Sequence, residues 1–459
     1  MDRWALQDRM MRLRVVVSGL VAAVVGQETV DTARPTTPTR YQEVMMVLQV
    51  DVPDGMVHGD TEEGFGHVAD AFRRNFASGQ EVGAACAVFQ DGRKVVDLWG
   101  GYRDGLRRAP WEEDTLVTVM STTKGVSSIA VAVAHARGLL DYDERVAAYW
   151  PEFAAGGKQD VTVRQLLSHQ AGLPMIDQPL DLDTLADLDA VGAIIAAQKP
   201  AWTPGSRHGY HGISLGWYEG ELIRRVDPAG RSIGQFFAEE VARPLGIEFY
   251  IGLPDDVDAE RLATIHAFKP AEMLLHLHQF PWRFVAGFLN PRSITGRTFG
   301  NPRVLGLMDN YNRREVLRLE SPASNGTGQV RAIARAYGAL ATGGAELGIR
   351  EGTMRALVEP AVAPSGGIRD LVLHIDSVFS LGYVKPFPSF RFGTAAGKAF
   401  GTPGGGGSFG FADPDTGVGF AYAMNRCGFH LYDDPRELAL RDALYRSLDA
   451  DPQGAAQAA

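Results

Sequence analysis

The sequence predicts an α/β (α+β) fold in which one antiparallel sheet, flanked by helices, is completed by both ends of the chain and carries an inserted, mainly helical lobe. Three observations carry this reading. Strand-like patterns gather near the two ends of the folded region, whereas the stretch between them has helical spacing. Strands and helices do not alternate as βαβ units of a parallel sheet would. A chain of 459 residues, 45% hydrophobic and 22% charged, has the proportions of a globular protein with a large core, which excludes a disordered, collagen-like or coiled-coil molecule.

The elements follow in order. Residues 1–60 read as an extension: Arg9, Arg12 and Arg14 precede the apolar run Val15 to Gly26, too short to span a bilayer but similar to a signal-peptide core, and a Pro- and Thr-rich stretch follows. The cytoplasm is the favoured location, with secretion if residues 1–26 are a signal peptide. Gly64 to Phe76 has helical spacing of Phe65, Val68, Ala69, Phe72 and Phe76. Val82 to Phe89 and Lys94 to Trp99, joined through Gln90-Asp91-Gly92, read as a hairpin, because Asp-Gly suits the positive φ of a tight turn. An apolar run, Thr115 to Met120, leads into Ser121.

Beyond Ser121 the period is helical, at Gly125 to Arg137, Val161 to Leu167, Leu185 to Gln198, Ile213 to Val226, Ile233 to Val241 and Gln329 to Thr342. Strands return at Ser380 to Val384, Gly407 to Ala412 and Gly417 to Asn425, and a helix from Pro435 to Asp449 closes the fold. The sheet part is therefore assigned to residues 64–124 and 370–449, the helical lobe to 125–369 and a disordered tail to 450–459.

Lys+Arg 45 against Asp+Glu 55 gives a net charge of −10 without a basic stripe, so no nucleic-acid partner is expected. No later segment is apolar and long enough for stable membrane insertion. Cys86 and Cys427 are too few and too far apart in sequence for a zinc ribbon or disulfide framework, and read as buried apolar side chains. His208 with His211, and His276 with His278, lack the carboxylate-rich helix of a metal motif, so neither metal nor cofactor is expected. The aromatic stretch Leu274 to Phe288 reads equally as a pocket wall and as a core helix.

Three segments carry chemistry. In Ser121-Thr122-Thr123-Lys124, one helical turn brings a lysine amine to a serine hydroxyl, and burial lowers the amine's pKa toward that of a base; the alternative is a capping serine with a solvated lysine. Tyr210, between a Pro204-Gly205 turn and the helix from Ile213, places a phenol on a supported loop; beside a lysine such a phenol loses its proton more readily and can act as general base, although a loop tyrosine also serves for packing. Gly401-Thr402-Pro403-Gly404-Gly405-Gly406-Gly407-Ser408 is a glycine run entering a strand, able to aim backbone N–H groups at an oxyanion or to serve as a plain loop or bulge.

Together these segments resemble the serine β-lactamase and penicillin-binding-protein superfamily, specifically the class C β-lactamase-like family VIII carboxylesterases. Leu166-Leu167-Ser168-His169-Gln170-Ala171-Gly172-Leu173-Pro174 and Gly407-Ser408-Phe409-Gly410-Phe411-Ala412-Asp413-Pro414 resemble further segments of the same family, and the likeness spans about Gly64 to Leu448. The resemblance implies a β-lactamase/transpeptidase-like fold and a cofactor-free serine hydrolase acting on small-molecule esters of short acyl chains. It implies Ser121 as nucleophile, Lys124 and Tyr210 sharing the base and acid work, an oxyanion hole from the backbone N–H groups of Ser121 and Gly405, and substrate binding at Thr402, Gly404 and Gly406. It leaves oligomeric state open.

The departures favour an ester over a β-lactam. Gly212 stands where β-lactamases carry the asparagine of Y-x-N, and Thr402 where they carry the cation of K-T-G, so an acylamino group and a carboxylate both lose their partners. A β-lactamase, a D-alanyl-D-alanine carboxypeptidase, an acyltransferase and a non-enzymatic acyl-binding sensor share the fold and stand as alternatives. Gly406-Gly407-Ser408-Phe409-Gly410 also matches the G-x-S-x-G elbow of α/β-hydrolases, but the elbow needs a helix after the serine, and here a turn and another strand follow. Ser168 and His169 read as structural.

Overall fold

A computed structural model describes residues 50–448 except 269–271 and 273–275. The signal-like run, the Pro/Thr-rich stretch and the tail from 450 lie outside the described residues. The elements that position the site are β1 Val57–Thr61, α1 Gly66–Ala77, β2 Gly83–Gln90, β3 Arg93–Asp104, β4 Ala109–Pro110, β5 Val117–Thr118, α2 Thr122–Ala136, α3 Val163–Leu167, α4 Leu182–Ala186, α5 Leu188–Ala197, α6 Ser214–Val226 and α7 Ile233–Phe237. They continue with β6 Phe249–Tyr250, α8 Trp282–Leu289, α9 Ile294–Gly300, β7 Thr327–Gly328, α10 Val330–Ala341, β8 Phe400–Pro403, β9 Phe409–Asp413, β10 Val418–Met424 and α11 Pro435–Ser447.

The main sheet has the order β1-β3-β2-β10-β9-β8, with β4 added to β3, and every pairing is antiparallel. Its middle seam joins the two ends of the chain, Val418 opposite Gln90 through Met424 opposite Ala84. The hairpin turn is the expected one: Asp91 and Gly92 both have positive φ, 49° and 78°.

Strand alternation sorts the core into two faces. On β10, Val418, Phe420, Tyr422 and Met424 pack with Phe65, Phe72 and Leu444 of the face covered by α1 and α11. The intervening Ala421 and Ala423 join the opposite core, shared with α2, α6 and α10. That face is lined with small residues because α10 lies close: a Cβ on Gly419 would come within 2.1 Å of the Gly338 nitrogen.

Five expectations need correction. The extension was expected to run to residue 60, yet Val57–Thr61 is a strand; its polar Val-His-Gly-Asp-Thr sequence has no buried face, and pairing with β3 alone orders it. Ser380 to Val384 is not a strand, because Val384 makes only isolated bridges to Phe379 and Gly401. Leu185 to Gln198 divides into α4 and α5, since the Asp187 side chain caps a new helix by accepting from the Asp189 and Ala190 N–H groups. The helix from Ile233 stops at Phe237 and continues as a π-type turn, Ala238–Ala242. The stretch assigned to the helical lobe also holds β6 and β7, which join β5 in a second antiparallel sheet of order β5-β7-β6, and α10, which packs on the main sheet. The two-residue strands of that small sheet are too short to give a periodic signal.

Candidate active site

Ser121 stands where β5 turns sharply into α2. The turn forces Met120 to φ 45°, a left-handed conformation costly for a non-glycine residue and held here by burial. Ser121 occupies the cap position of α2 but its side chain makes no capping bond, so it is not the capping serine that the sequence allowed. Its hydroxyl instead lies 3.0 Å from Lys124 Nζ.

Lys124 is fully buried. Its amine contacts three oxygens: Ser121 Oγ, the Gly212 carbonyl at 2.6 Å and the Ala323 carbonyl at 2.9 Å. Burial pulls its pKa down to about 7, with the Glu219 carboxyl opposing part of that shift. Tyr210 completes the group: its phenol comes under the influence of the Ser121 side chain, and its ring lies under Lys124 Nζ, 4.7 Å from nitrogen to centroid. The expected acidification of this phenol does not occur. Burial drives the Tyr210 pKa upward, and the neighbouring Ser121 side chain only partly offsets it.

The tyrosine loop is held by the Leu166 to Pro174 segment. The Gly209 N–H donates to the His169 carbonyl (3.1 Å), and the His211 N–H donates to His169 Nδ1 (3.0 Å). The Leu173 N–H in turn donates to His211 Nε2 at 3.0 Å, while His211 Nδ1 is 2.8 Å from the Gly209 carbonyl. His211 is thereby fixed as the Nδ1–H tautomer. Burial lowers the pKa of both rings, that of His211 to about 3, so they stay neutral. His208 is likewise a positioning group, with Nε2 2.8 Å from the Ile368 carbonyl.

The glycine run forms the far wall. The segment Phe400 to Pro403 is itself a strand, β8, and Gly406 and Gly407 make the turn into β9 with φ of 92° and 116°, which favours glycine. Ser408, the rival nucleophile, is buried in this turn: its hydroxyl donates to the Val119 carbonyl at 2.9 Å and lies 3.0 Å from Thr122 Oγ1. β9 follows it, not a helix. Ser408 thus fastens the glycine turn to the junction that carries Ser121. Gly404 sits against the same junction, where a Cβ would come within 2.5 Å of the Val119 carbonyl oxygen. Among the described residues, neither the Ser121 nor the Gly405 backbone N–H donates to a protein acceptor.

Thr402 and Gly406 face inward. Thr402 is buried, with its hydroxyl beside Gly125 of α2 and the Tyr337 phenol, and a Cβ on Gly406 would meet Met424 and Cys427. Cys86 and Cys427 are both buried thiols. The aromatic stretch proves to be part of the site's surroundings. Phe284 and Phe288 on α8 pack on Phe299 of α9, and Phe299 occupies the space above Gly212, 2.8 Å from where a Cβ would stand.

The profile of the Beta-lactamase family matches residues 68–445. The chain belongs to the Beta-lactamase family. Among its relatives, an "Esterase/beta-lactamase LipL" of Mycobacterium tuberculosis is 33% identical over 82% of this chain and 85% of its own length. A crystal structure of a family VIII carboxylesterase is 37% identical with a TM-score of 0.71, covering 85% of this chain and 99% of that one. EstA from Arthrobacter nitroguajacolicus Rue61a is 29% identical with a TM-score of 0.74, again covering 85% and 99%. The esterase and carboxylesterase among these relatives support a serine hydrolase function. No helix among the described residues is long and apolar enough to cross a membrane.

Proposed function

We propose that this protein hydrolyses small carboxylic esters of short acyl chain through an acyl-enzyme on Ser121, with Lys124 as the base and Tyr210 as a neutral proton carrier. The contact of the fully buried Lys124 amine with the Ser121 hydroxyl at 3.0 Å, in surroundings that favour the uncharged amine, is the observation that carries it. A neutral amine has two N–H bonds and one lone pair. The Gly212 and Ala323 carbonyls accept the two N–H bonds, which leaves the lone pair directed at the third contact, the Ser121 hydroxyl.

Ser121 Oγ attacks the ester carbonyl as its proton passes to Lys124 Nζ. The ammonium so formed lies over the face of the Tyr210 ring, whose negative π cloud steadies the charge that develops in the transition state. The Ser121 and Gly405 N–H groups receive the oxyanion. On collapse, the C–O bond to the alcohol breaks; Tyr210 Oη–H protonates the departing alkoxide and is reprotonated from the ammonium. Water repeats the sequence on the acyl-enzyme and releases the acid. Phe299 over Gly212 supports an ester rather than a β-lactam, because it fills with hydrocarbon the place where an amide would hold an acylamino group.

Nitrophenyl esters of graded chain length, assayed beside a chromogenic cephalosporin, test the proposal. Ser121→Ala is expected to lower kcat by roughly 10⁴-fold or more. Ser408→Ala should keep the chemistry and lose stability. The reverse pattern, or cephalosporin turnover matching that of esters, would overturn the assignment.

A further inference from the structure

Behind Lys124 lies a carboxyl group that the mechanism above does not use. Glu219, on α6, is fully buried. Its Oε1 is 2.6 Å from Ser128 Oγ and its Oε2 is 3.0 Å from Ser127 Oγ. Ser127 Oγ also lies 2.8 Å from the Pro322 carbonyl and 2.9 Å from the Lys124 carbonyl. Pro322 immediately precedes Ala323, whose carbonyl holds the Lys124 amine. Glu219 is thus connected to the candidate base through a buried chain of one hydroxyl and two successive carbonyls.

The protons in this chain can be counted. If Glu219 is ionised it only accepts, and both serine hydroxyls must donate to it. Ser127 Oγ then faces the Pro322 carbonyl at 2.8 Å with no proton between them, and that carbonyl has no other protein donor among the described residues. Two buried acceptors in contact are repulsive, and the carbonyl is left unsatisfied. If Glu219 carries a proton on Oε2, each of these groups has a partner, the Lys124 carbonyl keeping its helical bond within α2. Ser128 O–H donates to Oε1, Oε2–H donates to Ser127 Oγ, and Ser127 O–H donates to the Pro322 carbonyl.

We propose that Glu219 is a positioning residue acting as a neutral carboxylic acid: its proton orders Ser127 and the Pro322–Ala323 carbonyls, and its lack of charge leaves Lys124 a free amine. The inference rests on the reading of Lys124 as base. Burial pushes the Glu219 pKa upward, against the hydrogen bonds from Ser128 and Ser127, which is the direction the proton count requires. Besides Lys124, the titratable groups facing Glu219 are the phenols of Tyr142 and Tyr383, both pushed upward by burial and therefore neutral. Those facing Lys124 are Tyr210, His169 and His211, also neutral.

Full-length wild type, Glu219→Gln and Glu219→Ala provide the test, with nitrophenyl butyrate as substrate. Glutamine reproduces the neutral acid, its amide donating to Ser127 and accepting from Ser128. It should keep kcat/KM within about threefold and leave the acidic limb of the pH profile within about 0.3 unit. Alanine should lower kcat roughly tenfold with little change in KM. Infrared difference spectra of wild type against Glu219→Gln, both carrying Ser121→Ala and recorded near neutral pH, should contain a protonated-carboxyl band. An acidic limb that moves down by about one unit or more in Glu219→Gln would show that a carboxylate had been holding an ammonium, and would overturn the proposal. So would a missing carboxyl band, or an alanine variant equal to wild type. Should Ser121→Ala retain activity, the hydrolase reading fails, while the infrared band still reports on Glu219.

Discussion

Lys124 shows how much chemistry one buried side chain can set. A protonated amine has no lone pair for Ser121, so kcat/KM should be full above pH 7 and fall as pH drops through about 7, the value to which burial lowers this group. A pH–rate profile on a neutral ester reads this directly, and Lys124→Arg, permanently protonated, should be inactive across the range. The same shift carries a stability slope. The folded pKa lies below the unfolded value of about 10.4, so the unfolded chain binds more protons between the two, and stability should rise with pH across that window. Denaturant midpoints of wild type against Lys124→Met from pH 7 to about 10 check the sign. The Ser121 and Lys124 pairing is legible from their spacing alone, since one helical turn fixes it. The protonation state of Tyr210 is not, because burial comes from neighbours distant in sequence. Phe299 is a second such case: nothing in its own segment announces that it stands over Gly212. Phe299→Ala should shift the acyl-length optimum upward by two or more carbons (~0.8 kcal/mol per methylene accommodated), measured as kcat/KM over a series of nitrophenyl esters.

The elements that reveal themselves in sequence are those with a complete period or a turn signal. The Asp91-Gly92 hairpin, α1, α2, α6, α10 and α11 all lie close to their expected bounds for that reason. β1 and the small sheet β5-β7-β6 exist through pairing with partners far along the chain, which local patterning does not encode. The packing of α10 on β10 is another long-range agreement, since it depends on Gly419 facing Gly338. Gly419→Val should therefore cost about 1–3 kcal/mol or more, read as a lower urea midpoint with unchanged m-value, because backbone meets the new side chain and cannot yield as a rotamer would. In α3 the capping box of Thr162 and Gln165 starts the helix that leads to the His169 support.

At the scale of the whole molecule, Arg436 ties the closing helix to both the opening strands and the glycine turn. Its guanidinium donates to Asp434 Oδ1 and Oδ2 at 2.9 Å each, to Glu81 Oε2 at 3.2 Å and to the Gly406 carbonyl at 2.9 Å. Arg436→Ala should cost about 3–5 kcal/mol in chemical unfolding, because it leaves buried carboxylates unpaired. It should also depress kcat in whatever fraction stays folded, through the turn that carries Gly405. The central seam of the sheet has a last consequence, for synthesis. β2 leaves the ribosome about 330 residues before β10. A polypeptide translated only to the middle of the chain carries Ser121 and Lys124 but has neither the strand that closes the sheet nor the glycine turn that carries Gly405. On the proposed mechanism, competence to cleave esters therefore arrives only after β10 has been made, so products truncated before it should be inert toward the acyl groups around them.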